Sequence, residues 1–286
     1  MELRKTLIIG EIGINHNGSI KTALKLIREC KKAGVDVVKF QKRTPDISVP
    51  SEQKNILRDT PWGQMTYLKY KKKIEFDKKQ YDAIDKFCKK IGIKWTASVW
   101  DLDSFHFINS YDVPFIKVPS ALITDGKLLE EIKTFSKSPV IISGGMSNTE
   151  ELDRAVHSLS GKIYSILHCN SSYPCEHNEI DIRVINTLKQ QYPALKIGYS
   201  GHEKDLLPTI VAVSAGAEII ERHITIDRTM WGTDQQASLE ILELVELIKI
   251  IRNVETILGK PNLTVYPSEL AVMKKLRNYS NFSNNG

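Results

Sequence analysis

The stretch LKIGYSGHEKDLLPTIVAVSAGAEIIERHITI, residues 195–226, contains one complete strand–helix–strand repeat. Its two ends are short, apolar and β-branched, and a longer amphipathic run separates them, which predicts a βα unit with parallel strands. Eight such strand candidates, each followed by a helix candidate, occur at residues 6–13, 37–41, 94–99, 115–119, 139–145, 163–170, 195–201 and 218–226. Eight repeats in 286 residues predict an α/β protein with a single (β/α)8 TIM barrel. A doubly wound open sheet is the alternative if one strand assignment is wrong.

Local signals mark helix ends and the limits of the barrel. The first helix candidate ends at Gly34, and Asn148 is a candidate N-cap before an acidic first turn. The pattern predicts that the barrel spans residues 1–260, including a long βα loop at 42–76 that is rich in proline and charge. Loops of that length are usually lids or disordered segments. Residues 261–286 are polar and predict a frayed C-terminal tail.

Composition narrows the class of protein. With 41% hydrophobic and 26% charged residues, and no run of 18 to 20 apolar residues, we expect a soluble cytoplasmic protein that neither enters a membrane nor carries a cleaved leader. The four cysteines have neither zinc-site spacing nor the density of a disulfide scaffold, so we expect reduced thiols. The net charge of +6 and the basic run at 69–73 come without a nucleic-acid motif. No nucleic-acid partner is expected, whereas a small anionic substrate would suit the charge.

Polar residues interrupt the strand candidates repeatedly at their C-terminal ends. In a TIM barrel those ends meet at one rim, where active sites form. Packing alone does not explain a polar contribution from every unit to the same rim. The residues are Glu11, Lys39, Gln41, Ser98, Lys117, Ser120, Ser143, His168, Asn170, Ser200, His202 and His223.

Two histidines end neighbouring strands. His202 and His223 follow the seventh and eighth strand candidates, so both imidazoles can reach one divalent ion and leave coordination positions open. Hydrogen bonding of both rings to nearby carboxylates explains the spacing equally well.

Two lysines and one glutamate are predicted to lie at the same rim as the histidines. Lys39 and Lys117 lie within apolar strands and, with the serines and Asn170, predict a site for the phosphate and carboxylate of one small molecule. The alternatives are lysines that extend along the surface, or a lysine that forms a Schiff base as in a class I aldolase. Glu11 is a candidate acid or base because a carboxyl in a barrel mouth tends to have a raised pKa, and pairing with Lys39 or His223 is its alternative role.

Seven sequence motifs, in order and at comparable spacing, resemble the N-acetylneuraminate (sialic acid) synthase family. They extend from about Leu7 to the region of Arg277: EIGINHNG, VKFQ, KVPS, SGGMS, LHCNSSYP, GYSGH and ERHITIDRTMWGTDQQASLE. The family has a (β/α)8 barrel and condenses phosphoenolpyruvate with an aldose to give a 3-deoxy-2-ulosonic acid and phosphate, for surface glycans. No lysine Schiff base takes part in that reaction.

The resemblance also implies roles for individual residues. It implies that a divalent metal, usually manganese, with magnesium, cobalt or zinc as possibilities, binds His202 and His223, and that Glu11, His223 and Asp234 are catalytic. It implies that Gln41, Tyr173 and Asp234 face the sugar. The residues expected to bind substrate are Lys39, Gln41, Ser98, Lys117, Ser120, Ser143, Asn170, Tyr173 and Ser200.

The chain departs from the family pattern where the sugar is recognised. Family members of the sialic acid type read SGE or SGD after the fourth-strand lysine, whereas this chain reads Ser120, Ala121 and Leu122. We expect only the barrel domain, without the C-terminal antifreeze-like domain that contributes an arginine across a dimer. Gly201 replaces a frequent aspartate and is expected to loosen local support. Homodimerisation, a separate lid-supplying subunit, and a degenerate carbohydrate-binding barrel that needs a partner all stay open.

Leu122→Glu tests the role of this position in sugar selectivity. The added carboxylate is expected to raise activity on an N-acetylated hexosamine relative to its unmodified analogue, because it restores the acidic sugar contact. Competition assays with the two sugars measure the ratio, and an unchanged ratio would count against the assignment.

Overall fold

The structure, a computed structural model, describes residues 5–278 and contains a closed parallel barrel. Each strand pairs with its sequence neighbours, and the last strand pairs with the first, with Glu11 opposite His223. The predicted (β/α)8 barrel is therefore confirmed, and the open-sheet alternative is wrong. The strands are β1 (Leu7–Gly13), β2 (Val37–Lys42), β3 (Lys94–Val99), β4 (Ile116–Val118), β5 (Val140–Ser143), β6 (Ile163–His168), β7 (Lys196–Gly201) and β8 (Ile219–Thr225).

One helix follows each strand and covers the outside of the barrel. Ser19 caps the first helix by accepting a hydrogen bond from the Thr22 amide, and Gly34 ends it with a φ of 92°, a left-handed conformation that glycine adopts at little cost. Asn148 caps the fifth helix, as predicted, and also forms a capping box with Glu151. The helices are α1 (Ile20–Ala33), α2 (Lys78–Ile91), α3 (Leu102–Asn109), α4 (Gly126–Phe135), α5 (Thr149–Ser158), α6 (Val184–Gln191), α7 (Leu207–Ser214) and α8 (Ile241–Leu258).

The interior of the barrel is filled by an apolar layer below a polar one. The apolar layer is fully buried and consists mainly of Ile9, Val37, Phe115, Ile141, Leu167 and Ile219. Side chains alternate between the two faces of a strand, so the residue two positions further on points inward one level higher. Glu11, Lys39 and Lys117 occupy that level, which places a charged layer directly on an apolar floor.

The predicted loop at 42–76 is ordered and contains secondary structure. It forms helices Pro45–Ser48 and Tyr67–Ile74, and a two-stranded hairpin pairs Leu57–Arg58 with Met65–Thr66. Buried Met65, Tyr70 and Ile74 pack with Ile14, and the Tyr70 ring contacts Trp231 edge-on. This buried apolar surface holds the segment over the rim, which proline and charge content alone did not predict.

The chain beyond α8 lies on the surface. A short helix, Leu270–Leu276, interrupts the segment that was predicted as a frayed tail, and its side chains are largely exposed. The end of that predicted tail, residues 279–286, lies outside the described residues. Among residues 5–278, the helices are all too short or too polar to span a bilayer.

A buried ion pair joins β8 to the loop after β7. The Arg222 guanidinium donates to the Glu203 carboxylate at 2.8 Å, and Tyr199 and Thr209 hydroxyls donate to the same carboxylate. A Cβ atom on Gly201 would lie 2.6 Å from both Glu203 carboxylate oxygens. The Glu203 carboxylate therefore fills the space that a side chain at position 201 would occupy, and the expected loosening of local support stays a prediction.

Gly201→Asp is expected to lower the free energy of unfolding by about 2 kcal/mol or more, because the side chain overpacks the site and places a second carboxylate beside Glu203. Urea denaturation measures this change. The double variant Gly201→Asp/Glu203→Ala should lose less than the sum of the two single variants, because the crowding is relieved. Additive losses would show that the two positions are independent.

Candidate active site

The polar layer surrounds a small cavity of about 140 Å³ at the C-terminal mouth of the barrel. The serines, lysines and histidines come from seven different strands or the loops that follow them. The structure brings eleven of the predicted site residues to its wall: Glu11, Lys39, Gln41, Ser98, Lys117, Ser120, Ser143, Tyr173, Ser200, His202 and His223. The prediction of one convergent site at the rim agrees with this arrangement.

Lys39 lies between two buried carboxylates. Its ammonium is 2.8 Å from Glu11 Oε2 and 3.5 Å from Glu221 Oε1, and it donates to the Ser98 hydroxyl at 2.8 Å. Burial acts to lower the pKa of Lys39, but the two carboxylates outweigh burial and hold the pKa above its ordinary value. Lys39 is therefore a protonated cation, and the alternative of a surface lysine is wrong for it.

Lys117 is the second buried cation of the cavity. Its ammonium donates to the Ser143 hydroxyl at 2.6 Å and lies 3.8 Å from Glu221 Oε1. Burial, reinforced by repulsion from Lys39, lowers the pKa of Lys117. Burial and the repulsion from Lys39 both disfavour the charged form of Lys117. An anion that enters the cavity would offset both effects, because its negative charge would stabilise the ammonium.

Glu11 is fully buried and unusually basic for a carboxyl. Burial raises its pKa to about 7, although Lys39 opposes the shift. The Gln41 amide also donates to its Oε1 at 3.1 Å and fixes its orientation. A carboxyl group with a pKa near neutrality can both release and accept a proton at physiological pH.

Glu221 is the site residue that sequence reasoning missed. It accepts a hydrogen bond from the Ser200 hydroxyl at 3.1 Å, and its carboxylate lies near both lysines. Burial opposes its ionisation, but Lys117 and Lys39 hold its pKa well below the ordinary value. The signal was present: Glu221 precedes His223 by two positions on β8, so both side chains point to the same face.

The two histidines form a pair at the edge of the cavity. The His202 and His223 ring centroids are 5.4 Å apart, and His202 Nδ1 lies 2.5 Å from the Asn170 carbonyl oxygen. That hydrogen bond fixes the tautomer in which Nδ1 donates, and leaves Nε2 of His202 as a free lone pair. Burial lowers the pKa of each imidazole to about 4, so both rings are neutral at pH 7.

These features fit a divalent ion with an open coordination sphere. His223 Nδ1 is buried and has no hydrogen-bond partner among the described residues, since Asp234 Oδ2 is 3.7 Å away. Neutral imidazole is a good ligand for divalent transition metals such as zinc, and two rings leave positions open for the oxygen ligands that manganese and magnesium prefer. Within residues 5–278 no group of three His, Cys, Asp or Glu side chains forms a metal-binding cluster, so solvent or substrate would complete the coordination.

Tyr173 and Asp234 lie beside the histidines. The Tyr173 ring lies against His202 with centroids 4.1 Å apart and ring planes inclined by 34°, and its side chain is partly exposed at the mouth of the cavity. Burial opposes ionisation of Asp234, but His223 and the Thr233 hydroxyl hold its pKa below the ordinary value. Asp234 borders the site next to His223, outside the wall of the central cavity.

His168 and Asn170 do not point into the central cavity. Alternation along β6 turns Leu167 and Cys169 inward, so residues 168 and 170 face the other side. His168 Nε2 contacts the Ile180 carbonyl oxygen, and the Asn170 amide donates to the Glu179 carbonyl oxygen at 3.1 Å. In this structure Asn170 contributes a backbone carbonyl to His202, and its side chain does not line the cavity predicted for substrate.

Comparisons with known proteins agree with this geometry. A model of the NeuB family matches residues 26–262. The chain belongs to the NeuB family. It is 36% identical to the N-acetylneuraminate-9-phosphate synthase of Homo sapiens, over 94% of this chain and 76% of the human protein. It is 33% identical to the N,N'-diacetyllegionaminic acid synthase of Campylobacter jejuni, over 90% of this chain and 78% of that protein.

A solved structure gives the same result for this NeuB family member. The N-acetylneuraminic acid (sialic acid) synthetase of Leptospira borgpetersenii, in complex with citrate, superimposes with a TM-score of 0.85 at 31% identity, covering 95% of this chain and 91% of that chain. The resemblance read from the seven motifs is therefore confirmed, and the chain is an enzyme of the sialic acid synthase type. Geometry also argues against a Schiff base at Lys39, which is ion-paired and protonated. Burial lowers the pKa of Lys117, so the Schiff-base alternative rests on that lysine alone.

Glu11→Gln tests the raised pKa. Because the folded-state pKa of about 7 exceeds the ordinary value of 4.5, the wild type loses stability as pH rises between these values, and glutamine does not titrate. The stability of the variant minus that of the wild type should therefore grow by about 3 kcal/mol from pH 4.5 to 7 and then level off. Urea denaturation across pH 4 to 8 measures it. A pH-independent difference would show an ordinary pKa for Glu11.

Proposed function

We propose that this NeuB family member catalyses the divalent-metal-dependent condensation of phosphoenolpyruvate with a hexose, giving a 3-deoxy-2-ulosonic, sialic-acid-like acid and phosphate for surface glycan synthesis. The observation that carries the proposal is the cavity itself, in which two buried lysines and a row of serines lie next to a pair of neutral histidines. Phosphoenolpyruvate has two anionic groups close together, and this site offers two cations close together.

Lys39, Lys117 and the serines hold the donor in this proposal. Each lysine already donates to one serine hydroxyl, Ser98 for Lys39 and Ser143 for Lys117, so the ammonium groups are positioned before substrate arrives. Ser120 lies beside Cys169 on the same wall and can donate to an anion from a third direction. Charge-assisted hydrogen bonds from fixed donors are about twice as strong as neutral ones and orient the molecule.

His202 and His223 would hold the divalent ion, for which the family resemblance implies manganese. The ion supplies Lewis acidity toward the aldehyde oxygen of the acceptor. His202 is kept in position by the Asn170 carbonyl oxygen and the Tyr173 ring, whereas the Asp234 carboxylate lies 3.7 Å from His223 Nδ1, beyond hydrogen-bond distance.

Glu11 handles protons in this scheme. C3 of phosphoenolpyruvate forms the new bond to the aldehyde carbon, water adds to C2, and phosphate leaves with cleavage of the C2–O bond. The added water must lose its protons before the C2 ketone forms, and the aldehyde oxygen must gain one. The Glu11 carboxyl, with a pKa of about 7 and a position facing the cavity, can accept and return a proton during these steps.

The acceptor is a hexose of the N-acetylmannosamine type. The relatives of this chain include an N-acetylneuraminate-9-phosphate synthase and an N,N'-diacetyllegionaminic acid synthase, and the chain covers about three quarters of each. Gln41 and Tyr173 line the central cavity and Asp234 borders it beside His223, so these three residues would contact such a sugar.

We further propose that the enzyme is cytoplasmic and forms a homodimer; a separate lid-supplying subunit is the alternative partner. Exposed apolar side chains on α7 and α8, Leu207, Val211, Leu242 and Val245, support association of two copies. All four cysteines are free and buried, which suits a reducing compartment.

Phosphate release from phosphoenolpyruvate tests the function. With manganese, the wild type should release phosphate in the presence of one or more aldoses of a panel, and EDTA should abolish release until manganese is restored. His202→Ala should lose activity at least about hundredfold because one of only two protein ligands is gone. The exposed His106, changed to alanine, is the matched control.

A folded protein that releases no phosphate with any aldose would favour a degenerate carbohydrate-binding barrel. Trapping of a pyruvate adduct by borohydride, with no effect of EDTA, would favour the Schiff-base aldolase.

A further inference from the structure

A second cavity, of about 570 Å³, adjoins the central one on the outer side of the rim. The two cavities share Trp100 and Ala121 as a common wall. Leu122, at the position where sialic acid synthases carry an acid, lines this outer cavity. A molecule longer than the central cavity can therefore extend from the histidine pair into the outer cavity.

Arg43 is a buried cation of the outer cavity without a counter-ion. The residue is only 9% exposed, and its guanidinium carbon lies 3.9 Å from the centroid of the Trp100 ring. No carboxylate of residues 5–278 lies within salt-bridge distance of it. Stacking on Trp100 fixes the plane of the guanidinium, which leaves its N–H groups free for a ligand.

Lys71 is a second buried cation in the same cavity and is also unpaired. It is 7% exposed, and its ammonium lies over the rings of Tyr67 and Tyr70 at 5.2 and 5.4 Å. In the part of the chain that the structure describes, no acidic group forms a salt bridge with Lys71. Burial, with repulsion from Arg43 as the next cause, lowers its pKa to about 7. The two cations therefore destabilise each other in the absence of an anion.

The nearby carboxylates already have partners. Asp101 accepts hydrogen bonds from the amide and hydroxyl groups of both Thr44 and Ser104. Asp125 caps α4 by accepting from the Leu128 amide. Glu75 pairs with Lys42 at 2.7 Å and accepts a hydrogen bond from the Arg43 amide, outside contact with the Arg43 guanidinium. Asp234 attracts both Arg43 and Lys71 electrostatically but forms no salt bridge with either cation. Among residues 5–278, neither cation therefore has a carboxylate in direct contact.

We propose that Arg43 and Lys71 bind a phosphate group at the far end of the acceptor, so that the hexose used by this enzyme is a 6-phosphate. An aldose whose C1 aldehyde lies at His202 and His223 places its C6 end away from the donor site, toward the outer cavity. Two cations match the two negative charges of a phosphate monoester better than the single charge of a carboxylate. The inference rests on the proposed condensation, because it names the class of its acceptor.

Steady-state kinetics with N-acetylmannosamine 6-phosphate and N-acetylmannosamine test the site. The wild type should prefer the phosphorylated sugar in kcat/KM. Arg43→Leu and Lys71→Met should each reduce that preference by about tenfold or more, since each removes a charge-assisted contact. Arg43→Lys should restore part of it. Lys69→Met, an exposed lysine on the same short helix, is the matched control and should keep the wild-type preference.

Thermal unfolding separates a binding role from a structural one. Because the buried cations repel each other, Arg43→Leu and Lys71→Met should leave Tm unchanged or raise it while preference for the phosphorylated sugar falls. Lower Tm with unchanged preference would overturn the proposal and make these residues structural. Preference of the wild type for the unphosphorylated sugar, or for N-acetylmannosaminuronic acid, would also overturn it.

Calorimetric titration distinguishes failure of the site from failure of the proposed reaction. N-acetylmannosamine 6-phosphate should bind the wild type more tightly than N-acetylmannosamine does, and Arg43→Leu should abolish this difference, even if no condensation is observed. Equal binding of the two sugars by the wild type would overturn the phosphate site whether or not the enzyme condenses phosphoenolpyruvate with another aldose.

Discussion

The ion pair between Lys39 and Glu11, 2.8 Å apart inside the barrel, is the interaction on which the central site depends. Separating two charges from water is costly unless each has a partner and further hydrogen bonds. Lys39 has two carboxylate neighbours and a serine, and Glu221 in turn lies near Lys117. The four groups hold one another in place, and the apolar floor beneath them keeps water out.

The charged layer is balanced only in part. Two lysines face two carboxyl groups, but burial raises the pKa of Glu11 to about 7, so that near neutrality this carboxyl carries a proton part of the time. The cavity is then short of negative charge and suited to an anionic substrate. The same burial therefore has two consequences. Glu11 can exchange a proton near neutral pH, and the two lysines are stabilised when an external anion binds.

The buried cations of the inner cavity and those of the outer cavity have different partners. In the inner one, each lysine has a carboxylate and a hydroxyl nearby, and its position is determined before a ligand binds. In the outer one, Arg43 and Lys71 lie against aromatic rings without acidic partners. A site of the first kind favours orientation of a reacting molecule, whereas a site of the second kind favours affinity for a dianion, because binding removes an existing repulsion.

The sequence by itself determined the architecture and most of the site. The eight strand assignments agree with the structure to within two residues at each end, because period-two apolar runs and helix caps are local signals. Ten of the eleven predicted residues that line the cavity could be named because parallel strands bring their C-terminal ends to one rim, and the family resemblance added Tyr173.

Only the tertiary structure decided which side chains touch. It turned Asn170 away from the cavity, added Glu221 to it, and filled the space beside Gly201 with the Glu203 carboxylate. It also brought Arg43 and Lys71, which are 28 positions apart, into one cavity. Strand periodicity tells which face a residue occupies, but the partner of a buried charge comes from a distant segment. That pairing depends on barrel closure and loop packing, which local sequence does not encode.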